Sequence, residues 1–270
     1  MDAKKILVAN WKMNLRPSEE IKFIRRHHKE LIRLAKNSKT RIVICPSFLS
    51  VLPISQIFSS SPSDFLVLGA QDCSTRAIGS FTGQISAACL AEAGCEYTIV
   101  GHSEERKAHK ESDEQVAYKT IQLLIHGITP IICIGESAEE KKAGRSHEVL
   151  SRQIKTITES LSRLCLEHRY HICVAYEPLY AIGSGQVPSK EHLENVFEHV
   201  VQDLSGNESL KKVTYLYGGS VSHSQLPILD SIKKVDGYLV GAASLCFQEL
   251  EKMLESWKEP QNSNVLYAEK

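Results

Sequence analysis

The 270-residue chain has no surplus of charge, since Lys+Arg and Asp+Glu each number 32. Nucleic-acid binders usually need a basic excess to displace counterions from phosphates, so the balance argues against nucleic acid as the main partner. A secretory core is missing too. In MDAKKILVANWKMN only four apolar residues follow the two lysines before Asn10, too few for a signal segment. With 42% hydrophobic and 24% charged residues, nothing marks a disordered or membrane-spanning chain, and the expectation is a cytoplasmic protein. There is no CxxC pair. The eight cysteines (45, 73, 89, 95, 133, 165, 173, 246) therefore read as reduced thiols, and 45, 133 and 173 lie inside apolar runs. Nor do the eleven histidines form a cluster with metal-ligand spacing, and His27 and His28 sit on a basic stretch that reads as a solvated helix face. No metal and no cofactor is expected.

What the sequence does contain is a repeated pattern: a short β-branched apolar run, a polar or glycine-bearing loop, then a stretch at helical spacing. Eight such units occur, with runs at Ile6 to Ala9, Ile42 to Cys45, Phe65 to Ala70, Tyr97 to Val100, Thr129 to Ile134, Ile172 to Tyr176, Thr214 to Tyr217 and Gly237 to Val240. The runs are continuous rather than alternating, as parallel strands covered on both faces should be. Helices are expected at about 18–37, 48–58, 83–93, 105–126, 138–167, 189–204, 222–230 and 244–257, with Thr82, Ser189 and Ser222 as candidate N-caps and Glu191 and Glu194 complementing the helix dipole. Eight strand–helix units predict a single α/β domain, a closed (β/α)8 barrel over 1–257, with a polar tail at 258–270; an open doubly wound sheet is the competing architecture.

In a barrel of this kind the C-terminal strand ends converge on one mouth, so unusual residues there carry a functional prior. The first run is followed by Asn10, Trp11 and Lys12, the fourth by Gly101, His102, Ser103 and Glu104, the fifth by Gly135 and Glu136, and the sixth by Glu177 and Pro178. A lysine, a histidine and a glutamate at three strand ends supply an electrophile, a proton shuttle and a base. Glycine-bearing loops on strands six to eight offer backbone amides for a phosphate. Taken singly, each has an ordinary reading: the histidine as a structural hydrogen bonder, the lysine as a solvated charge, Gly218, Gly219 and Ser220 after the seventh run as a turn, Glu177 as half of an ion pair. Their joint placement at one end of different strands favours function.

These segments also carry a resemblance. ANWKMN at 9–14, VGHSE at 100–104, AYEPLYAIGSG at 175–185, YGGSV at 217–221 and DGYLVGAASL at 236–245, in that order, resemble the triosephosphate isomerase family from about residue 5 to 257. The resemblance implies interconversion of dihydroxyacetone phosphate and D-glyceraldehyde 3-phosphate through an enediolate. Glu177 would be the proton acceptor, His102 the group that polarises the carbonyl, Lys12 the fixed positive charge and Asn10 a hydrogen-bond donor to the substrate. The imidazole stands just before a helix start, where the dipole is expected to disfavour its cationic form. Gly183, Ser220, Gly241 and Ala242 would hold the phosphate, Glu104 and Cys133 would support the site, and residues 178–186 would form a mobile lid. The resemblance also implies a homodimer in which the loop 71–84 inserts into the partner subunit, with Thr82 reaching the neighbour's Asn10 and Lys12. Paired acid–base tuning and loop closure are known properties of that family, so this mechanism is what the resemblance implies and does not follow from the residues alone.

Four positions depart from the family pattern. Ala242 stands where a second glycine is usual, Tyr180 where the lid usually has tryptophan, and Glu105 and Gln84 where the family commonly has arginine and glutamate paired across the dimer. A Gln to Glu contact would be a weaker tie than an ion pair. A Cβ at position 242 costs of order 1 kcal/mol if φ is positive there and is harmless if it is negative. Two other readings stay open: a phosphate-binding barrel acting on a larger sugar or indole phosphate, and a barrel that has lost catalysis and serves as a binding module. Neither calls for Asn10, Lys12, His102 and Glu177 in these contexts.

Overall fold

A computed structural model of the chain describes residues 3–164, 169–181 and 187–258. Eight parallel strands run in chain order around a closed barrel: β1 (Lys5–Asn10), β2 (Thr40–Cys45), β3 (Leu66–Ala70), β4 (Tyr97–Val100), β5 (Thr129–Ile134), β6 (Tyr170–Tyr176), β7 (Leu210–Tyr217) and β8 (Gly237–Val240). β8 returns to pair with β1, placing Ile6 opposite Gly237 and Ala9 opposite Val240, so the open doubly wound alternative is excluded.

Closure divides each strand's side chains between two cores, because successive residues face opposite sides. Val8, Val43, Cys45, Ile99, Cys133, Cys173, Ala175 and Leu216 fill the barrel. Leu7, Ala9, Ile42, Ile44, Ile132 and Val174 face outward and pack under the helices with Ile24, Leu31, Val116 and Leu193. Both faces being covered is why the runs read as continuously apolar.

The helices are α1 (Pro17–Ser38), α2 (Phe48–Ser59), α3 (Ala87–Glu92), α4 (Ser103–His109), α5 (Asp113–Ile125), α6 (Ala138–Lys142), α7 (Ser146–Leu161), α8 (Lys190–Leu204), α9 (Leu226–Leu229) and α10 (Phe247–Ser256). Two stretches expected as single helices are split. The segment 105–126 breaks where Lys110 turns left-handed (φ 54°), and α5 restarts with Ser112 and Gln115 in a reciprocal capping box. The segment 138–167 breaks at Gly144 (φ 68°), and its last residues, 165–168, lie outside the described residues. Ser189 caps α8 by accepting from the His192 amide, as expected. Thr82 does not cap α3, a role that falls to Ser86. Ser222 caps nothing, its hydroxyl being turned to Ser224 and Gln225. Of the expected tail, residues 259–270 lie outside the described residues.

The seven described cysteines form no disulfide. Five of them are buried, where the apolar surroundings push the thiols of Cys45 and Cys133 well up.

Candidate active site

The strand ends bring Asn10, Lys12, His102, Glu177, Ser220, Gly241 and Ala242 to one cavity of about 370 Å³. Glu177 is the residue after β6. Its amide donates to Ile134 O across the β5–β6 pair (2.8 Å), which brings the side chain in from the barrel wall rather than the rim. Gly135 makes this close approach possible, because a Cβ at that position would stand 2.0 Å from the Glu177 carbonyl oxygen. The Gln153 side chain then pins Gly135, accepting from its amide (3.0 Å) and donating to its carbonyl (3.2 Å).

The Glu177 carboxylate is 2% exposed at the residue level and both its oxygens are engaged. Oε1 faces His102 Nε2 at 3.1 Å, and Oε2 accepts from the Ser103 amide at 3.0 Å. Burial alone would push this carboxyl up; the His102 contact, the Ser103 amide and the Lys12 charge outweigh it and hold the group below the ordinary carboxylate range. The side chain is therefore a carboxylate at neutral pH, as a base must be.

His102 precedes α4 and serves as its N-cap, with Nδ1 accepting from the Glu104 amide (3.3 Å). That bond keeps the lone pair on Nδ1 and the proton on Nε2, pointing at Glu177. The shift of the imidazole has the opposite sign to the one its place at a helix start suggests. Burial lowers the group, but the Glu177 carboxylate outweighs it and raises the imidazole above its ordinary value.

Lys12 has φ 53°, an uncommon conformation for a residue with a Cβ, and its neighbours hold it there. Its amide donates to Asn10 Oδ1 (3.1 Å), its carbonyl accepts from Gln71 Nε2 (2.9 Å), and Nζ lies 2.7 Å from Glu104 Oε1. With Oδ1 so engaged, Asn10 has Nδ2 as its donor. Cys133 is buried in the barrel beside Glu177, whose charge adds to burial in raising the thiol.

Beside Lys12, at the end of β8, Gly241 (φ −88°, ψ −113°) leads into a 3-10 turn at Ala242–Leu245. The only described non-glycine residues with positive φ are Lys12, Lys39, Lys110 and Lys234, so Ala242 carries its Cβ without left-handed strain. Ser220 is held by a bond from its hydroxyl to Ala181 O (2.9 Å). Gly183, expected on the phosphate, lies outside the described residues, as do residues 182–186 of the expected lid.

Three partners of the site are not singled out by the sequence. Ser103 contributes a backbone amide, which no side-chain pattern announces. Gln71 and Gln153 act from loop 71–84 and from α7 as anchors of backbone rather than as charged groups. A further network stands beside Glu177, through its chain neighbour Tyr176. Buried Glu136 accepts from Tyr176 Oη (3.0 Å) and from Ser146 Oγ (3.2 Å), while Tyr176 and Tyr180 both approach His192 Nε2, at 3.3 and 3.2 Å. Tyr180, the departure from tryptophan, thus has a polar partner on α8, and Lys141 Nζ stands 3.5 Å over its ring.

Gln84 and Glu105 line a second cavity, also about 370 Å³, within one chain. Ser74 donates its hydroxyl to Gln84 Oε1, and Glu105 lies 3.8 Å from His109, so each has a partner within the chain.

The model of the family described as triosephosphate isomerase matches residues 5–257. Among similar curated proteins, the triosephosphate isomerase of Thermoanaerobacter pseudethanolicus is 34% identical over 92% of this chain and 98% of its own length. Those of Polynucleobacter asymbioticus and Natranaerobius thermophilus are each 38% identical, over 89% and 94% of this chain and 94% and 96% of their own.

Proposed function

Because this chain belongs to the triosephosphate isomerase family and interconverts dihydroxyacetone phosphate and D-glyceraldehyde 3-phosphate, we propose that Glu177 is the base of that reaction, with His102, Lys12 and Asn10 acting on the same substrate. The observation that carries this reading is the buried Glu177 carboxylate on the cavity that Lys12, His102 and Asn10 also line.

The reaction moves one proton between adjacent carbons and another between their oxygens. Glu177 takes the C1 proton of the ketose, leaving an enediolate, and returns a proton to C2. His102 Nε2 donates to the carbonyl oxygen as charge develops there, and the imidazole then passes a proton between the two oxygens. Lys12 and Asn10 Nδ2 supply the positive charge and the donor for that oxyanion, in a site where few waters compete. Both Glu177 oxygens are engaged with His102 and Ser103, so substrate must separate them before the base can reach carbon. The phosphate is held by the amides of Ser220, Gly241 and Ala242, with Gly183 as a fourth, and Glu104 and Cys133 set the charge and packing around the base and lysine. No metal or cofactor is required by this chemistry. An assay coupled to a dehydrogenase tests the reading; a larger sugar or indole phosphate turned over in preference to the trioses would overturn it.

Since Ala242 has no left-handed strain, Ala242→Gly is expected to change the affinity of a phosphate-bearing inhibitor by less than about threefold. Inhibition constants check this, and tenfold tighter binding to the variant would show that the Cβ obstructs the phosphate.

We also infer a homodimer built on loop 71–84. Met13 is 97% and Ile78 92% exposed, and with Phe48, Leu49 and Phe81 they follow the adjacent strands β1, β2 and β3, an apolar sector that a partner subunit would cover. Ile78→Asp is expected to shift the chain to monomer in sedimentation and to lower specific activity with it. A monomer with full activity at assay concentration would sink this proposal. The glycolytic and gluconeogenic step fits a cytoplasmic enzyme, and no helix among the described residues is long and apolar enough to cross a membrane.

A further inference from the structure

The end of the barrel opposite Glu177 carries charge that the isomerisation does not use. Arg41 on β2, His171 on β6 and Lys212 on β7 stand two or four residues before Val43, Cys173 and Leu216, which fill the barrel, so by the alternation of strands they form its floor. With Tyr97, Thr214 and Asp236 they line a cavity of about 320 Å³, whose rim is Lys4, Lys5 and Ile6 at the start of β1.

Two acids also face the cluster, Asp236 in the cavity lining and Glu96 beside Arg41, against the charges of Arg41, Lys212, Lys4 and Lys5. Asp236 accepts from the Tyr215 amide (2.8 Å). Asp230 holds Lys5, which also lies over the Tyr238 and Trp257 rings. Arg41 donates to Asp64 O (2.9 Å) and to Tyr97 Oη (3.1 Å), with Glu96 at 4.0 Å as its paired carboxylate. Lys212 makes no ion pair among the described residues. His171 Nε2 bonds Thr214 Oγ1 at 2.9 Å. His171 is pushed down to about 4 by burial, with Lys212 and Arg41 adding; on Cys173, one layer deeper, burial dominates, and Lys212 and Arg41 are opposed by Asp236.

We propose that this floor cavity is an anion site that takes a small oxyanion of the phosphate class between Arg41, His171 and Lys212. It is separate from the isomerase centre. Residues 171 and 177 are the two ends of one extended run, about 20 Å apart at the usual rise per strand residue. A phosphate-class anion offers Lys212 the oxygens that no carboxylate among the described residues gives it, and it lets His171 take a proton that Lys212 and Arg41 otherwise oppose. Chloride, with no set of oxygens to span several donors, matches the cluster less well.

The test follows His171 rather than turnover, because phosphate also enters the catalytic cavity. In histidine-labelled protein, with the resonance assigned by His171→Asn, the His171 titration midpoint is expected to be about one pH unit higher in sodium phosphate than in sodium chloride of equal ionic strength. Lys212→Ala should abolish that difference while leaving kcat/KM unchanged, even though loss of the lysine raises the chloride midpoint by itself. A parallel titration with glycerol 3-phosphate separates the sources: a larger rise identifies a phosphorylated metabolite as the ligand, and an equal one identifies the phosphate group alone. The proposal is overturned if the midpoints in phosphate and chloride coincide, or if the phosphate-dependent rise persists in Lys212→Ala.

Discussion

Glu177→Gln is expected to lower kcat by roughly 10³-fold while KM changes by less than about threefold, the range for removal of a positioned general base. The amide nearly matches the carboxylate in shape, so the cavity stays filled. Its oxygen can still accept from the Ser103 amide, which leaves the NH2 group facing His102 Nε2. Two donors then meet. The imidazole can relieve the clash only by moving its proton to Nδ1, where the Glu104 amide already donates. The cost is about one buried hydrogen bond, on the order of 1 kcal/mol, and a fall in Tm of a few degrees at most. Isomerisation and exchange of the C1 proton with solvent deuterium should be lost together. Retained exchange with lost isomerisation would point to another base, and unchanged kcat would remove Glu177 from the mechanism.

This prediction rests on features that differ in how plainly the sequence displays them. The barrel itself was legible because its signal is repeated eight times, and each apolar run reports burial on both faces. The cavity shared by Asn10, Lys12, His102 and Glu177 was legible because a barrel converts the position after a strand into a position at the mouth; bringing these four together needed no long-range information beyond strand order. What escaped was set by backbone direction and by groups arriving from elsewhere in the chain. The break at Lys110 depends on a left-handed lysine, a conformation that no propensity favours. The cap of α3 lies at Ser86 rather than Thr82, a choice between two hydroxyls four residues apart. The helix that follows His102 suggests one direction of shift, and burial acts in that direction too, yet the contact with Glu177, 75 residues later in the chain, turns the net shift upward. Ala242 is the converse case: the sequence posed the question of its φ, and only the backbone answered it.

Lys12→Met is expected to lower kcat/KM by roughly 10³-fold, through both a raised KM and a lowered kcat. Methionine retains the length and apolar stem of lysine, so the substitution removes charge with little loss of volume. The backbone at this position is held independently of Nζ, by Asn10 Oδ1 on its amide and Gln71 Nε2 on its carbonyl. The φ of 53° should therefore survive, and the fold with it. What disappears is a cation facing two charges at once: the substrate phosphate, present from binding onward, and the oxyanion, which develops only in the transition state. Loss against the first raises KM, and loss against the second lowers kcat. The ion pair with Glu104 offers a simpler account, in which Lys12 matters only as that carboxylate's partner. Glu104→Gln separates the two. The Glu104 side chain is 58% exposed, so its pairing is worth no more than about 1 kcal/mol and its loss should cost less than about tenfold. If Glu104→Gln were as damaging as Lys12→Met, the lysine would be a structural partner and the charge on the enediolate would need another source. If Lys12→Met alone is severe, the cation acts on the substrate itself, and Lys12→Arg should recover only part of the rate because a planar guanidinium cannot occupy the point at which Nζ sits.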